Sequence, residues 1–403
     1  MRFRLISCTF FLWPLVTAAQ GPALSVEYAI ASAQKHRSQI IAARLLVEAA
    51  RHGASAASKP PSTGISVGVS SPPAVGGSDD DLVLTQSLDI FGRTRRSALL
   101  GNAQVQVAEA ELRSALSELQ LEVMRAYADV AASKALVESA TKSEQIAWEL
   151  REAIRGLVEL GKLPGVQLQR VSIELDRASL ERQTVEADLL IAKTRLAAVI
   201  GVGPENLNVT DFWPIPDTIE SSEDALSRIP EILILEAESR VAAAESRVAL
   251  QQFLPELEVQ GRRTAWQDSD QAIGLRVQLS YGIFDFGRAR AERKSAVARE
   301  ESFKQLLSDR RKIAVSDIFA TQTALSSALE QSRKFAAISS ATKDLVEKSR
   351  VGFAERAVTL VELLEATRAL REVEESSIGS KLKLAEAHAS YLHSIGWLIE
   401  VKK

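Results

Sequence analysis

The chain has one cysteine, Cys8, in 403 residues. It falls inside the apolar stretch Leu5–Val16, which follows Arg2 and Arg4 and precedes Thr17-Ala18-Ala19. That order of charge, apolar core and small residues is the order of a signal peptide, residues 1–19, cut before Ala19 or Gln20. Cleavage discards Cys8, so no disulfide, Cys metal site, Cys nucleophile or lipid anchor is expected of the mature chain. A basic excess is also lacking. The 49 Lys+Arg against 52 Asp+Glu give a net charge of −3, which argues against nucleic acid as a partner. After the N-terminus no apolar run reaches the ~18 residues of a spanning helix. Contact with a membrane must then use strands or an amphipathic surface. Proline is scarce (12 residues) and aromatics make up 5%, which suits long helices better than a mixed globular core. The four histidines, His36, His52, His388 and His393, form no i,i+4 metal pair and read as solvated helix faces. No phosphate-binding loop, dinucleotide fingerprint or nucleophile elbow occurs, so neither an enzyme nor a cofactor is expected.

What is present is a duplication. Phe91-Gly92-Arg93 recurs as Phe286-Gly287-Arg288, an offset of 286 − 91 = 195. Pro60 and Pro255, Leu84 and Leu279, Ala103 and Ala298, and Gly201 and Gly396 repeat at the same spacing. Units this long are duplicated domains rather than solenoid repeats. The first repeat spans 20–201, with a strand hairpin at 62–90 and a helical hairpin at 92–200. A linker, 202–219, carries Pro204, Pro214 and Pro216 and reads as crossing the outside of the helices. The second repeat spans 220–396, with hairpins at 256–285 and 287–396, and a tail follows at 397–403. Each repeat opens on one amphipathic helix, Ser25–Ser58 or Ser222–Phe253.

Two short alternating segments follow in each copy. Ile65, Val67 and Val69 alternate with small polar residues, a turn-rich loop occupies Ser71–Asp80, and a partner strand runs over Asp81–Asp89. In the second copy Arg262–Asp270 is the loop, and Ile273, Leu275, Val277, Leu279, Tyr281 and Ile283 form one apolar face. A soluble sheet with a covered face and a lipid-facing barrel both fit this pattern. Four strands cannot close a barrel, and open edges are forbidden in lipid. A membrane reading therefore requires several chains; three chains of four give 3 × 4 = 12 strands, an even number in the known range. After each Phe-Gly-Arg the sequence is helical for ~65 residues, on the order of 100 Å. Breaks fall at Gly161-Lys162-Leu163-Pro164-Gly165 and at Arg356-Ala357-Val358-Thr359-Leu360. The apolar spacing suggests coiled-coil packing.

The strand ends Ser87-Leu88-Asp89-Ile90-Phe91-Gly92-Arg93 and Ile283-Phe284-Asp285-Phe286-Gly287-Arg288 resemble the Phe-Asp-x-Gly-Arg signal of the outer membrane efflux protein (TolC-like) family. The resemblance covers essentially the whole mature chain. It implies a mainly α fold with a small transmembrane β part: internally duplicated, with long coiled-coil helical hairpins and four β-strands per chain. A homotrimer would complete a 12-strand barrel in outer-membrane lipid and an α-helical tunnel in the periplasm. A periplasmic adaptor and an inner-membrane transporter would dock at the tip, and the duct itself would catalyse nothing. The family's tip motif places Phe353, Arg356, Thr359, Glu362, Leu363-Leu364 and Ala366. Arg356 stands where the family has Gly. Glu362 and Glu365 would ring the narrow entrance and favour cations, or they are two solvated acids on one helix face. Gly161, Pro164 and Gly165 would form the first repeat's outer turn, with Gln167 opposite the acid position. Trp266, Tyr281, Phe284, Phe286 and Phe91 near the strand ends fit an interfacial girdle, while Phe91 and Phe286 equally fit packing at the junction. Metal ions, drugs and secreted proteins all remain open as cargo. A periplasmic coiled-coil adaptor without a pore is the competing reading; it does not explain two matched strand hairpins.

Overall fold

In the computed structural model, residues 24–69, 80–204, 207–216, 225–265, 272–282 and 284–399 are described. The signal peptide, the loop at 71–79, Trp266, Ile283, parts of the linker and the end of the tail lie outside them.

The element order is α1 (Val26–His36), α2 (Ser38–Ala57), β1 (Gly64–Val69), β2 (Asp80–Leu88), α3 (Arg93–Glu159), α4 (Gly165–Ile200), α5 (Pro230–Val248), β3 (Glu256–Ala265), β4 (Ala272–Ser280), α6 (Arg288–Ala354) and α7 (Leu360–Ser394). α3 and α6 are each 67 residues long, which at 1.5 Å per residue is ~100 Å. Both start and end 195 residues apart. α4 and α7 return alongside them.

The opening helix of each repeat is not single. Arg37 takes an extended conformation (φ −70, ψ 117) that separates α1 from α2. α1 turns inward there: Ser32 donates to the Ile200 carbonyl at 3.1 Å, and Arg37 reaches Glu122 at 3.3 Å. In the second repeat Pro230 starts α5 at its first turn, where the missing N–H costs nothing. α5 then tightens into a 3-10 turn over Ala249–Phe253. α2 crosses α3 at Gly101, where a Cβ would stand 2.8 Å from the Ala54 Cα.

The four strands form one antiparallel sheet in the order β1-β2-β3-β4. Its register aligns the apolar faces. Ile65, Leu84, Gly261 and Leu275 share one row; Leu88, Leu257 and Leu279 share another. Rows between them carry Thr85, Gln260 and Arg276, or Ser87, Glu258 and Gln278. Asp80, Gln86 and Arg263 are the polar positions in the apolar rows, and the Gln86 amide donates to Pro61 O and Ser87 O at 3.2 and 2.9 Å. Ile65, Val67, Leu82, Leu84, Leu275, Val277 and Leu279 are exposed. A soluble sheet would need a layer over this face, and none of the described residues supplies it. β4 ends at Ser280, short of the Tyr281 that the alternation includes.

The main core lies midway along the helices, around α1, α3, α4 and the linker. Tyr127 is fully buried, and its hydroxyl donates to Leu24 O at 2.9 Å. The linker enters this core rather than only crossing outside it. Leu207 and Val209 are buried, Val209 bridges Leu24, and Trp213 stacks tilted on Tyr127 at 6.1 Å between ring centres. Trp213 Nε1 donates to His388 Nδ1 at 3.0 Å, and His393 Nδ1 lies 2.9 Å from the Ser117 hydroxyl. These two histidines are half-buried hydrogen-bond partners, not the solvated residues expected from the sequence. The sequence places them correctly on a helix, but what covers them comes from residues 175 and 276 positions away.

Candidate functional site

Two places concentrate the residues singled out in the sequence: the strand-to-helix junctions and the turns at the far end of the helical hairpins.

At the first junction Gly92 takes a left-handed conformation (φ 72) and leads into α3. The Asp89 carboxylate accepts from Arg93 N and Thr94 N at 2.7 and 2.8 Å, satisfying orphan donors of the first turn. Slight burial pushes this carboxyl up, but the Thr94, Arg93 and Gly92 hydrogen bonds outweigh it and hold it below its usual range. At the second junction Asp285 does the same work one position later. It accepts from Gly287 N at 3.0 Å and Ala289 N at 2.9 Å, and the Gly287 bond is the main cause of its lowered pKa. The shift puts both Phe286 and Gly287 at positive φ (52 and 87), whereas only Gly92 is so in the first copy. Phe91 is consequently half-buried at the junction, while Phe286, Phe284 and Tyr281 are exposed. Arg93 and Arg288 also diverge. Arg93 reaches across to the Leu254 carbonyl at 2.5 Å, whereas Arg288 pairs with Glu292 on its own helix at 2.7 Å.

At the far end Gly161 and Arg356 occupy the same place, 356 − 161 = 195, with φ 67 and 62. The substitution of Gly by Arg therefore leaves the turn as tight as its partner. Lys162 N bonds to Leu157 O, and Ala357 N to Gly352 O, each at 2.8 Å. Beyond these turns the copies differ. Pro164 precedes α4 in an extended conformation without a side-chain cap, and Gly165 begins that helix. Thr359 caps α7 through a capping box. Its hydroxyl accepts from Glu362 N at 3.3 Å, and the Glu362 carboxylate accepts from Thr359 N at 2.7 Å and from its hydroxyl at 2.9 Å. The Thr359 backbone bond, then the hydroxyl bond, lower the Glu362 pKa. Glu365 lies one turn on and is exposed. Both acids face solvent, and one of them is held by its own helix cap.

The two repeats are fastened near this end. Ile154, Val171, Leu360 and Leu364 make a small buried cluster among α3, α4 and α7. Around it Arg350 pairs with Glu149 at 3.2 Å, Arg371 with Glu181 at 3.1 Å, and Arg368 with Glu174. The Arg368 hydrogen bond is the main cause of a lowered Glu174 pKa. Sequence reading missed this belt. Its partners lie 190 to 201 positions apart, and single charged residues on long helices carry no local signal. Between α3 and α6 a groove has Leu150, Leu157 and Leu163 on one wall and Phe353 and Leu363 on the other, with Glu149, Lys343 and Arg350 at its rim. Among the described residues no group of His, Cys, Asp and Glu is placed to hold a metal. No helix among them is long and apolar enough to cross a membrane, a finding that does not bear on strands.

A duplicated unit of strand hairpin and helical hairpin, with one bare, largely apolar sheet face, is the fold seen in solved outer-membrane channel protomers. Residues 29–202 match the model of the family "Outer membrane efflux protein", so the resemblance drawn from the strand ends holds. The fold is that of the open-state MtrE outer membrane channel of Neisseria gonorrhoeae, with a TM-score of 0.75 at 17% identity, covering 92% of this chain and 89% of that one. Among curated proteins the chain is similar to Protein CyaE of Bordetella pertussis, 26% identical over 300 residues, 68% of this chain and 62% of CyaE. It is also similar to the fusaric acid resistance protein FusA of Burkholderia cepacia, 25% identical over 237 residues, 54% of this chain and 44% of FusA. The matches thus span less than two thirds of either relative. The family and the solved structures are those of outer-membrane channels.

Proposed function

We propose that the chain is one third of a trimeric outer-membrane duct, the passive exit of a tripartite efflux or type I secretion system. The observation that carries this reading is the sheet: four strands, one largely apolar face, and edges at β1 and β4 that no described residue pairs. In lipid such edges must be paired, and three copies close twelve strands. The exposed Tyr281, Phe284 and Phe286 at its helix-proximal end suit an interfacial girdle. The helices would extend into the periplasm, and the tip turns and their groove would meet an adaptor and, through it, an inner-membrane pump. Glu362 and Glu365 would line the entrance around the threefold axis. The chain would do no chemistry of its own and needs no cofactor.

The test is to express the full chain with its signal peptide and run the outer-membrane fraction without boiling. A trimer-sized species that falls to a single chain on heating supports the duct, and Glu362→Gln with Glu365→Gln should then lower its preference for cations in bilayers. A periplasmic monomer would sink the proposal and favour the adaptor reading.

A further inference from the structure

Charge is balanced over the whole chain but not where strand passes into helix. Residues 90–108 hold Arg93, Arg95 and Arg96 and no acid. Residues 286–299 hold Arg288, Arg290, Arg293, Lys294 and Arg299 against Glu292 alone. These bases divide by face. Arg93 pairs with Glu256 at 3.9 Å, Arg288 with Glu292 at 2.7 Å and Arg299 with Glu245 at 2.8 Å. Glu256 stands one residue before Leu257 of an apolar row, so its side chain lies on the sheet's other, polar face. Arg93, Glu245, Glu292, Ser295 and Arg299 line one recess on that side. The ion pairs therefore belong to the helix face that continues the polar face of the sheet.

The remaining bases turn away from it. Arg95 is two residues from Arg93, Arg290 and Lys294 are two from Glu292, and Arg293 is two from Ser295. On α5, Arg247 is two from Glu245. Two residues are about 200° round a helix. All of these are exposed, and among the described residues their side chains make no hydrogen bond or ion pair. Arg96 keeps its Nη1 out of water with no acceptor among those residues. The outward bases of α3 and α6 lie ~3–9 Å along the helix axes from the first helical residue. The exposed Tyr281, Phe284 and Phe286 lie between the apolar sheet and the start of α6. Headgroups add ~5–8 Å to each side of the hydrocarbon layer, so the bases fall at the depth of lipid phosphate.

We propose that this outward basic girdle binds the headgroups of anionic phospholipids at the periplasmic surface of the outer membrane, a reading that rests on the duct and adds a ligand to it. Aromatic side chains seat a barrel in any bilayer. Bases without acids select lipid with net negative charge. A neighbouring copy of the chain does not supply those acids. α2, α3, α5 and α6 pack side by side in that order, so a neighbour meets α6 with its α2. That helix has Glu48 as its one acid, 3.6 Å from His52, against Arg44 and Arg51.

The wild-type chain and Arg290→Gln/Arg293→Gln/Lys294→Gln, purified in detergent as trimers, test this girdle. The temperature at which the trimer falls to a single chain is measured with added phosphatidylglycerol, with phosphatidylcholine, which has no net charge, and with inorganic phosphate. Phosphatidylglycerol is expected to raise it by several degrees in the wild type, and the other two not at all. At 1 M salt, where screening acts within ~3 Å, the gain should vanish. Lipid that copurifies with the wild type should be enriched in phosphatidylglycerol at least about threefold over the source membrane. The triple variant should lose both effects. Arg95→Gln, on another helix, should lose part of each and serves where the triple variant does not assemble. Equal shifts with both lipids, the same shift with inorganic phosphate, or a full response in the variants overturns the lipid site and leaves the duct standing. Variants that alter ion selectivity while keeping the lipid response place these bases in the lumen and overturn it too. Absence of a trimer-sized wild-type species overturns the duct and the girdle together.

Discussion

Arg356 holds in the second repeat the left-handed position that Gly161 holds in the first, with φ 62 against 67 and the same closing bond of 2.8 Å. An L-residue with a Cβ is disfavoured there by ~1 kcal/mol or more. Arg356→Gly should therefore raise stability by about 1 kcal/mol, less a few tenths for glycine's added freedom in the unfolded chain. Thermal unfolding of the detergent-solubilised protein measures it. A loss of stability would mean that the Arg356 side chain, not the backbone, dominates at this turn.

The capping box separates charge from structure at the two acids proposed to line the entrance. Thr359→Ala removes the hydroxyl that accepts from Glu362 N and should cost about 1 kcal/mol. Glu362→Gln keeps an N3 acceptor for the Thr359 N–H and should cost less than ~0.5 kcal/mol. The Gln variant is thus the clean probe of charge in conductance. Equal destabilisation by both variants would show that the negative charge itself holds the cap.

Gly396 and Gly161 both have positive φ, but their surroundings differ. A Cβ at Gly396 would lie 2.4 Å from Arg228 O and 2.9 Å from Ile229 N, whereas nothing lies within 4 Å at Gly161. Gly161→Ala should cost only the backbone term of ~1–2 kcal/mol. Gly396→Ala adds overlap with backbone that cannot rotate away, so it should cost more than ~2 kcal/mol or abolish the folded yield. Comparable melting points for the two variants would refute this ordering.

Burial holds the His388 ring below the usual imidazole range, so its Nδ1 stays free to accept from Trp213. Unfolded histidine titrates near ~6.5. The contribution of this group is complete above that pH and is lost as pH falls through the lower folded value. Between about pH 7 and 5 the melting point should drop while the Trp213 emission changes. His388→Asn should weaken that dependence. An unaltered pH slope in the variant would count against His388 as its source.

Glu375 behaves in the opposite sense. Its hydrogen bond with Glu181 across α4 and α7, aided by burial and by the Glu181 charge, raises its pKa from 4.5 to about 7. Between those values the folded chain keeps a proton that the unfolded chain releases, so this group's stabilisation is full at the acid end and fades as pH rises through about 7. Glu375→Gln retains a donor without the titration. Its melting point should vary less across this window, and an identical profile would exclude the Glu181 pair as the cause.

The sequence by itself determined the duplication, the two strand hairpins, the helix pairs with one arm of ~100 Å and the positions of the tip turns. These are local properties: alternation, near-heptad spacing and the scarcity of proline are written in neighbouring residues. The apolar face on Leu275, Val277 and Leu279 was legible for the same reason. Only the tertiary structure decided that α1 breaks from α2 at Arg37, that Trp213 carries the linker into the core, and that Arg368 and Arg371 tie the repeats together. It also decided that Arg356 keeps a glycine's backbone and that Glu362 folds into its own cap while Glu365 does not. Each of these depends on which distant residue or which backbone angle the packed chain supplies. A charged or aromatic side chain in a long helix has several faces to choose from, and its partner settles the choice only once the helices lie side by side.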